Sequence, residues 1–422
     1  MYFYHRLLAI LFSIILLFVS SLIFPRYASA SLQIKTLYLA QTQNSVKPIS
    51  KEAVLERLFT SEDIKAEWFA PSFLKQIPIT QIKSIISDVK NQLGSYQGVK
   101  TSGSDYVVNF SLGSIPTKIV LNNKRQIAGL LLQPPTLKIG SLSDAISELK
   151  KLPGKISFIV KEDSSILADL NAKTPLAVGS AFKLAVLKTL KAQIASGKKS
   201  WSDVVKLQAE DKSLPSGILQ TWPNNSPLTL QTLASLMISI SDNTATDILI
   251  KQVGRESIQS SSSRNRPFFT TRELFVLKGS QNRKLLQLYR KSNETQRRTL
   301  LAELVKKPLP DVSEFEGTNP NALDVEWFYS AEELCELMEQ VASLPLMSIN
   351  PGVANPNDWE RVAFKGGSEP GVLNLTSWLK GKNGKQYYVV ATWNNSDVPV
   401  DELKLSALYG GVISLLAGGG QI

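Results

Sequence analysis

Val178-Gly179-Ser180-Ala181-Phe182-Lys183-Leu184-Ala185-Val186-Leu187 sets a serine and a lysine three residues apart at the head of an apolar run. Three residues are about one helical turn, so the two side chains share a face. The pattern predicts a helix that begins at or just after Gly179 and is apolar enough to be buried. A buried lysine loses solvation, which lowers its pKa and frees it to act as a base. A serine in the first turn of such a helix sits where backbone N–H groups can stabilise an oxyanion. The Ser-x-x-Lys spacing alone carries little. It recurs at Ser72/Lys75, Ser87/Lys90, Ser147/Lys150, Ser196/Lys199 and Ser377/Lys380, each readable as a polar helix face. The apolar context sets Ser180 apart.

Two further stretches belong with it. Ser241-Asp242-Asn243 occurs once, between one apolar helical segment and the next. Its structural reading is helix capping, for which Ser and Asp are ordinary residues. Its chemical reading is a hydroxyl that passes a proton to a leaving nitrogen and an amide that binds a substrate amide. Lys365-Gly366-Gly367-Ser368 follows a short strand at 361–364. There the glycines make a simple turn or bulge, or let a substrate backbone lie against the strand edge. A hydroxyl is a poor nucleophile until a base takes its proton. The single histidine, His5, lies in an apolar leader. A serine enzyme built from this chain therefore uses lysine as its base.

Composition bounds the alternatives. The chain has 422 residues, of which 43% are hydrophobic, enough for two domains and a large core. One cysteine, Cys335, excludes an internal disulfide and Cys/His zinc sites, and its apolar surroundings read as core. No metal or cofactor is expected. His5 and Arg6 precede an uncharged run at 7–24, and Ala28-Ser29-Ala30 then forms a small-x-small cleavage pattern. Residues 1–30 read as a signal peptide for export to the periplasm or outside. The run is about long enough to span a bilayer, so an uncleaved anchor is the alternative. The net charge is +11. Between Arg264 and Arg298, ten Lys/Arg face only Glu273 and Glu294. The segment reads as a solvated helical face or as a patch that meets a membrane or an anionic cell-wall surface. Nucleic acid does not fit an exported chain.

Residues 31–47 form a polar linker. A small α+β domain is expected over 48–135, with helices at 51–59, 62–69 and 79–93. Strands follow at 106–112, 115–121 and 127–132. Its carboxylates Asp63, Glu67 and Asp105 make no acid/base pair. A second domain, 136–422, is expected to open with a helix at 142–152 and a hairpin of 155–161 with 165–171. Helices at 228–240 and 241–253, paired strands at 372–380 and 386–393, and a last helix at 403–416 complete the reading. Strands at both ends with helices between imply a sheet whose edges come from distant parts of the chain.

Taken together, the three motifs resemble those of the penicillin-recognising serine enzymes of the class A β-lactamase type. The likeness extends to 228–254 and to the strand pair around Gly381–Gly384, and covers roughly 137–422. The small domain is similar to the cystatin-like or ketosteroid-isomerase-like unit that precedes certain β-lactamase-like proteins, one of them associated with clavulanic acid biosynthesis. The resemblance implies an antiparallel sheet flanked by helices, a β-lactamase/transpeptidase-like fold. It implies Ser180 as the acylated nucleophile, Lys183 as base, Ser241 as proton relay and Lys365 as positive charge near the substrate carboxylate. Asn243, Gly366, Gly367 and Ser368 would bind substrate, with the Ser180 and Ser368 amides as oxyanion hole. Two departures stand out. Gly366 occupies the place of a hydroxyl residue, for which Ser368 is the replacement. No Glu-x-x-x-Asn follows the second motif to direct a deacylating water. Glu273 is the nearest carboxylate by position, and Thr270 three residues before it makes a capping box the plainer reading. The expectation is a monomeric serine hydrolase, with a β-lactam, ester or peptidoglycan-type small molecule as substrate. A peptidoglycan D,D-peptidase or esterase, or a non-catalytic binding module, are the alternatives.

Overall fold

The computed structural model describes residues 49–259, 264–315 and 319–418. The leader at 1–30 and the linker at 31–47 lie outside the described residues. The fold is a mixed helix and antiparallel-sheet architecture.

The N-terminal part begins with α1 (Lys51–Thr60), capped where the Ser50 hydroxyl accepts from the Ala53 N–H at 3.2 Å. Val54, Leu55, Leu58 and Phe59 recur one turn apart and bury one stripe. α2 (Ile79–Leu93) does the same with Ile82, Ile86 and Leu93. Both lie on an antiparallel meander of β1 (Tyr96–Ser102), β2 (Asp105–Phe110), β3 (Gly113–Leu121) and β4 (Ile127–Leu132), with β5 (Thr136–Leu137) paired to the start of β3. Phe59 meets Phe110 edge to face at 5.3 Å in this core. Two expectations are corrected. The helix at 62–69 is only the 3₁₀ turn Ala66–Trp68. The strand β1 was not anticipated, because Tyr96-Gln97-Gly98-Val99-Lys100-Thr101-Ser102 shows no clean alternation and none of its residues is fully buried.

The main sheet runs in the order β8, β9, β10, β6, β7, all antiparallel. Its strands are β6 (Lys155–Glu162), β7 (Ser165–Leu170), β8 (Arg361–Glu369), β9 (Val372–Lys380) and β10 (Gln386–Asn394). The edges come from distant parts of the chain, as expected, and the join between those parts is internal, with Val389 opposite Val160. Both faces are covered. Phe158, Val160, Val389 and Ala391 point into a core with α3 (Leu142–Leu149) and the last helix, whereas Ile159, Tyr388 and Val390 point into the helical core. Successive strand residues alternate faces, so a strand covered on both sides is apolar throughout.

The helical core surrounds α4 (Lys183–Ala195). Lys183, Leu184, Ala185, Val186, Leu187 and Leu190 are all buried, so the helix is enclosed on every side at its N-terminal end. α5 (Leu230–Ser239) and α6 (Asn243–Val253) pack beside it. The helix expected at 228–240 is preceded by a short strand, Pro227–Thr229, that pairs with Val204–Lys206. The helix expected at 241–253 starts only at Asn243, because Ser241 is left-handed and Asp242 is its N-cap. Three helices fill the basic region: α7 (Thr271–Lys278), α8 (Arg283–Lys291) and α9 (Glu294–Leu304). α10 (Ala331–Val341) carries Cys335, which is 2% exposed. Burial pushes that thiol up to about 12, fitting a packing role.

The last helix, α11 (Glu402–Ala417), crosses the segment joining the two sheets. A Cβ built on Gly411 would lie 2.5 Å from the Leu137 carbonyl oxygen and 2.5 Å from the Ile139 side chain. Gly411→Ala gains about 1 kcal/mol of helix propensity but forces a backbone shift costing about 1–3 kcal/mol. The expected result is a net loss of about 1 kcal/mol, read as a lower urea midpoint at unchanged slope.

Candidate active site

Ser180 stands in a 3₁₀ turn, Gly179–Phe182, that runs into α4. The turn is held from outside: the Val178 N–H donates to the Trp327 carbonyl at 3.1 Å, and the Phe182 and Trp327 rings stack at 3.7 Å. Gly179 has φ +48°, and its missing side chain leaves room for β8, since a Cβ there would sit 3.1 Å from the Ser368 N. The approach is tighter from the other side. A Cβ on Gly367 would lie 2.3 Å from the Val178 oxygen and 2.4 Å from the Ser180 N. The glycine at 367 is thus required by the serine turn itself rather than by a substrate strand. Among the described residues the Ser180 N–H has no backbone partner, as expected in the first turn of a helix. The Ser180 and Ser368 amides therefore lie at one narrow gap.

The strand expected to end at 364 continues to Glu369, so the third motif lies inside β8. Period two then decides which side chains reach the site. Lys365, on the face of Gly367, reaches Ser241 Oγ at 3.1 Å and also donates to the Gly366 carbonyl. Ser368 falls on the other face, where its hydroxyl acts on the Glu402 carboxyl. A side chain at 366 would share that face, and the Ser368 backbone N lies at the gap. Gly366 packs closely, a Cβ there meeting Phe364 at 3.0 Å and the Asn374 oxygen at 3.1 Å.

Ser241 has φ +58°, a left-handed conformation that costs a non-glycine residue energy and recurs at functional sites. Asp242 holds it there. Its carboxylate accepts from the N–H groups of Ala245 at 2.8 Å, Ile218 at 2.7 Å and Leu219 at 2.9 Å. The fit needs Gly217, where a Cβ would fall 2.3 Å from the Asp242 carboxyl. The strained carbonyl of Ser241 accepts from Lys183 Nζ at 2.6 Å and from the Ser216 hydroxyl at 2.7 Å.

Lys183 is wholly buried. Its Nζ also lies 3.0 Å from Ser241 Oγ and 2.7 Å from Asn243 Oδ1. Burial, and then the Lys365 charge, push this amine well below its usual range, while Asp242, Asp247 and Glu369 oppose the shift. Burial brings Lys365 down to about 7. Two ammonium groups on one hydroxyl would repel, which favours the loss of a proton from the pair. The Lys183 Nζ lies within donating distance of the Ser241 carbonyl, Ser241 Oγ and Asn243 Oδ1, and as a neutral amine it keeps a lone pair for an incoming proton. The structure thus joins Lys183, Ser241, Asn243 and Lys365 directly. Ser180 makes no hydrogen bond with them among the described residues, and it reaches the group only through its position one turn before Lys183.

Asn243 is committed to the protein: its other amide group donates to the Leu214 carbonyl at 3.0 Å. It orients Lys183 in the free protein. Glu273 is also committed. Its carboxylate accepts from the Thr270 N–H at 2.8 Å and from Arg255 at 2.6 Å, completing the capping box of α7. Sequence reasoning missed Asp247. It accepts from Thr271 N at 2.6 Å, Thr271 Oγ1 at 2.9 Å and Arg272 N at 2.9 Å, and burial raises it to about 7. Its place one turn after Asn243 was the available signal. Most cations of the basic region have partners within the protein. Arg264 pairs with Glu333, Arg290 with Asp324 and Arg298 with Glu256 and Glu294, while Arg272 donates to the carbonyls of Lys212 and Lys307.

Residues 141–408 match the model of the beta-lactamase enzyme family, and the chain belongs to that family. No curated protein matches it. Solved structures similar to it include a beta-lactamase from Sphaerobacter thermophilus, at 20% identity over 66% of this chain and 97% of that one, TM-score 0.46. An ancestral class A beta-lactamase has 16% identity over 66% and 100%, TM-score 0.46. PBP-A has 14% identity over 66% and 96%, TM-score 0.45.

The lowered amine of Lys365 has a consequence for stability. Between about 7 and the ordinary lysine value, the unfolded chain holds a proton that the folded chain releases. This contribution makes stability rise with pH across that window, and the destabilisation is complete at pH 7 and below. Lys365→Met removes it. The variant should melt roughly 3 °C or more above wild type at pH 7 in a calorimetric scan, with the difference shrinking above pH 9.

Proposed function

We propose that this chain is an exported serine acyl-hydrolase, acylated on Ser180 by a β-lactam or a related acyl substrate. The observation that carries the reading is the buried Lys183 amine, held beside Ser241 and Lys365 one turn from Ser180. Nothing in packing calls for two buried lysines on one serine hydroxyl, and burying them costs stability. In the proposed reaction Ser180 Oγ bonds to the substrate carbonyl carbon and its proton passes to the Lys183 amine. The oxyanion lies between the amides of Ser180 and Ser368. The carbon–nitrogen bond then breaks, and the proton reaches the leaving nitrogen through Ser241, with Lys365 stabilising the charge around that hydroxyl. Water cleaves the ester, releasing the acid and restoring the serine hydroxyl. Export rests on the run at 7–24 and on Ala28-Ser29-Ala30.

The commitment of Glu273 to Thr270 and Arg255 bears on the last step. A carboxylate already taking two such bonds is a poor base for water, so the β-lactam acyl-enzyme should be long-lived. This favours, as a second reading, a peptidoglycan peptidase or esterase that β-lactams inhibit without being consumed. A binding module is less supported, since most of the charges between Arg264 and Arg298 already have internal partners.

Intact-mass measurement over time with one penicillin tests the proposal. Wild type should gain the mass of the antibiotic and keep it for minutes or longer, while Ser180→Ala gains nothing. Absence of any adduct, together with no turnover of a chromogenic cephalosporin or a simple ester, sinks the reading. Acylation should slow as pH falls, because protonated Lys183 cannot take the serine proton.

A further inference from the structure

Lys278, Glu326 and Glu369 form a second buried charged group close to the site. The Lys278 ammonium, at the C-terminal end of α7, pairs with Glu326 and lies 3.1 Å from Glu369 Oε2. The side chains of Lys278 and Glu326 are 2% and 0% exposed, so water does not reach the pair. Glu326 therefore cannot activate a water, and the group has no direct part in the chemistry above. Its attachments are informative. Glu326 precedes Trp327, whose carbonyl receives the Val178 N–H and whose ring stacks on Phe182, the two ends of the serine turn. Glu369 follows Ser368, whose amide is the other half of the oxyanion gap. Glu369 is thus one residue from one wall of that gap, Glu326 is one residue from the tryptophan that packs on the other, and one ammonium ties the two together.

We propose that Lys278 is a positioning residue for acyl transfer, which by bridging Glu326 and Glu369 sets the separation between the Ser180 turn and the Ser368 amide. The inference rests on the acyl-transfer reading and deepens it. The serine turn and β8 belong to different layers, and their contact at Gly367 is backbone against backbone with no side chain to adjust it. An ion cluster beyond the gap is the means of fixing its width. Without Lys278, Glu326 and Glu369 lose the cation that bridges them, and the separation of these walls is no longer held.

The test is pre-steady-state acylation by a penicillin, with rapid quench and intact-mass detection, on wild type, Lys278→Met, Glu369→Ala and Glu369→Gln. An oxyanion gap acts on the transition state rather than on substrate binding. Lys278→Met should therefore lower the limiting acylation rate by about tenfold or more, with the half-saturating penicillin concentration unchanged. Glu369→Ala cuts only the β8 leg and leaves the Lys278–Glu326 pair in place, which covers the case in which Lys278→Met fails to fold. It should lose rate severalfold, and Glu369→Gln, whose carbonyl still accepts from Lys278, should recover most of it. A wild-type rate in both Lys278→Met and Glu369→Ala overturns the positioning role. So does a reduced amplitude at unchanged rate, which reports only a smaller folded fraction. If wild type itself forms no adduct on Ser180, the acyl-transfer reading falls and this role with it; an adduct with unaltered variant rates removes this role alone.

Discussion

The structure around the site is organised by one amine that has no access to water. Lys183 is enclosed by the helical core, and everything near it follows from giving its nitrogen partners without giving it a counter-ion in contact. The Ser241 carbonyl must turn inward, which requires the left-handed backbone at Ser241. That conformation is held by Asp242, which in turn needs the two amides after Gly217 and the absence of a side chain at that glycine. A buried ammonium paired with a carboxylate would keep its proton. A buried amine facing neutral oxygens, beside the second cation of Lys365, gives it up.

Much of this was legible in the residues. Ser180 and Lys183 announced themselves through helical spacing inside an apolar run, and α2, β4 and the β9–β10 pair appear nearly as read because local periodicity and burial agree there. The sheet's long-range closure followed from strands at both ends. Where reading failed, the cause was non-local or the pattern was faint. The exit of Ser241 from its helix depends on amides more than twenty residues earlier in the chain. The lodging of Ser368 on the far face of β8 follows only once the strand is known to run through the motif, and Gly366-Gly367 reads as a turn. The segment between Arg264 and Arg298 reads as a helical face, but its charges blur where each helix starts and stops, even though Thr270 with Glu273 and Asn293 with Gln296 carry capping-box spacing.

The same charges illustrate how composition can mislead. A net excess in one stretch suggested a surface for an anionic partner. Most of those cations instead bind carboxylates drawn from elsewhere, such as Glu333 and Asp324, or the carbonyl ends of other segments. Among the described residues, Arg283, Lys284 and Lys291 on α8 remain without a side-chain partner. Excess charge in a segment is therefore no measure of excess charge on the surface it builds.

The pairing of β6 with β10 bears on how the molecule comes into being. The middle of the main sheet joins two strands that are distant in the chain, so the helical layer has no finished floor until both have been made. Such distant pairings make closure slow. The main sheet of such a chain therefore stays open while the helices between its two halves are being made.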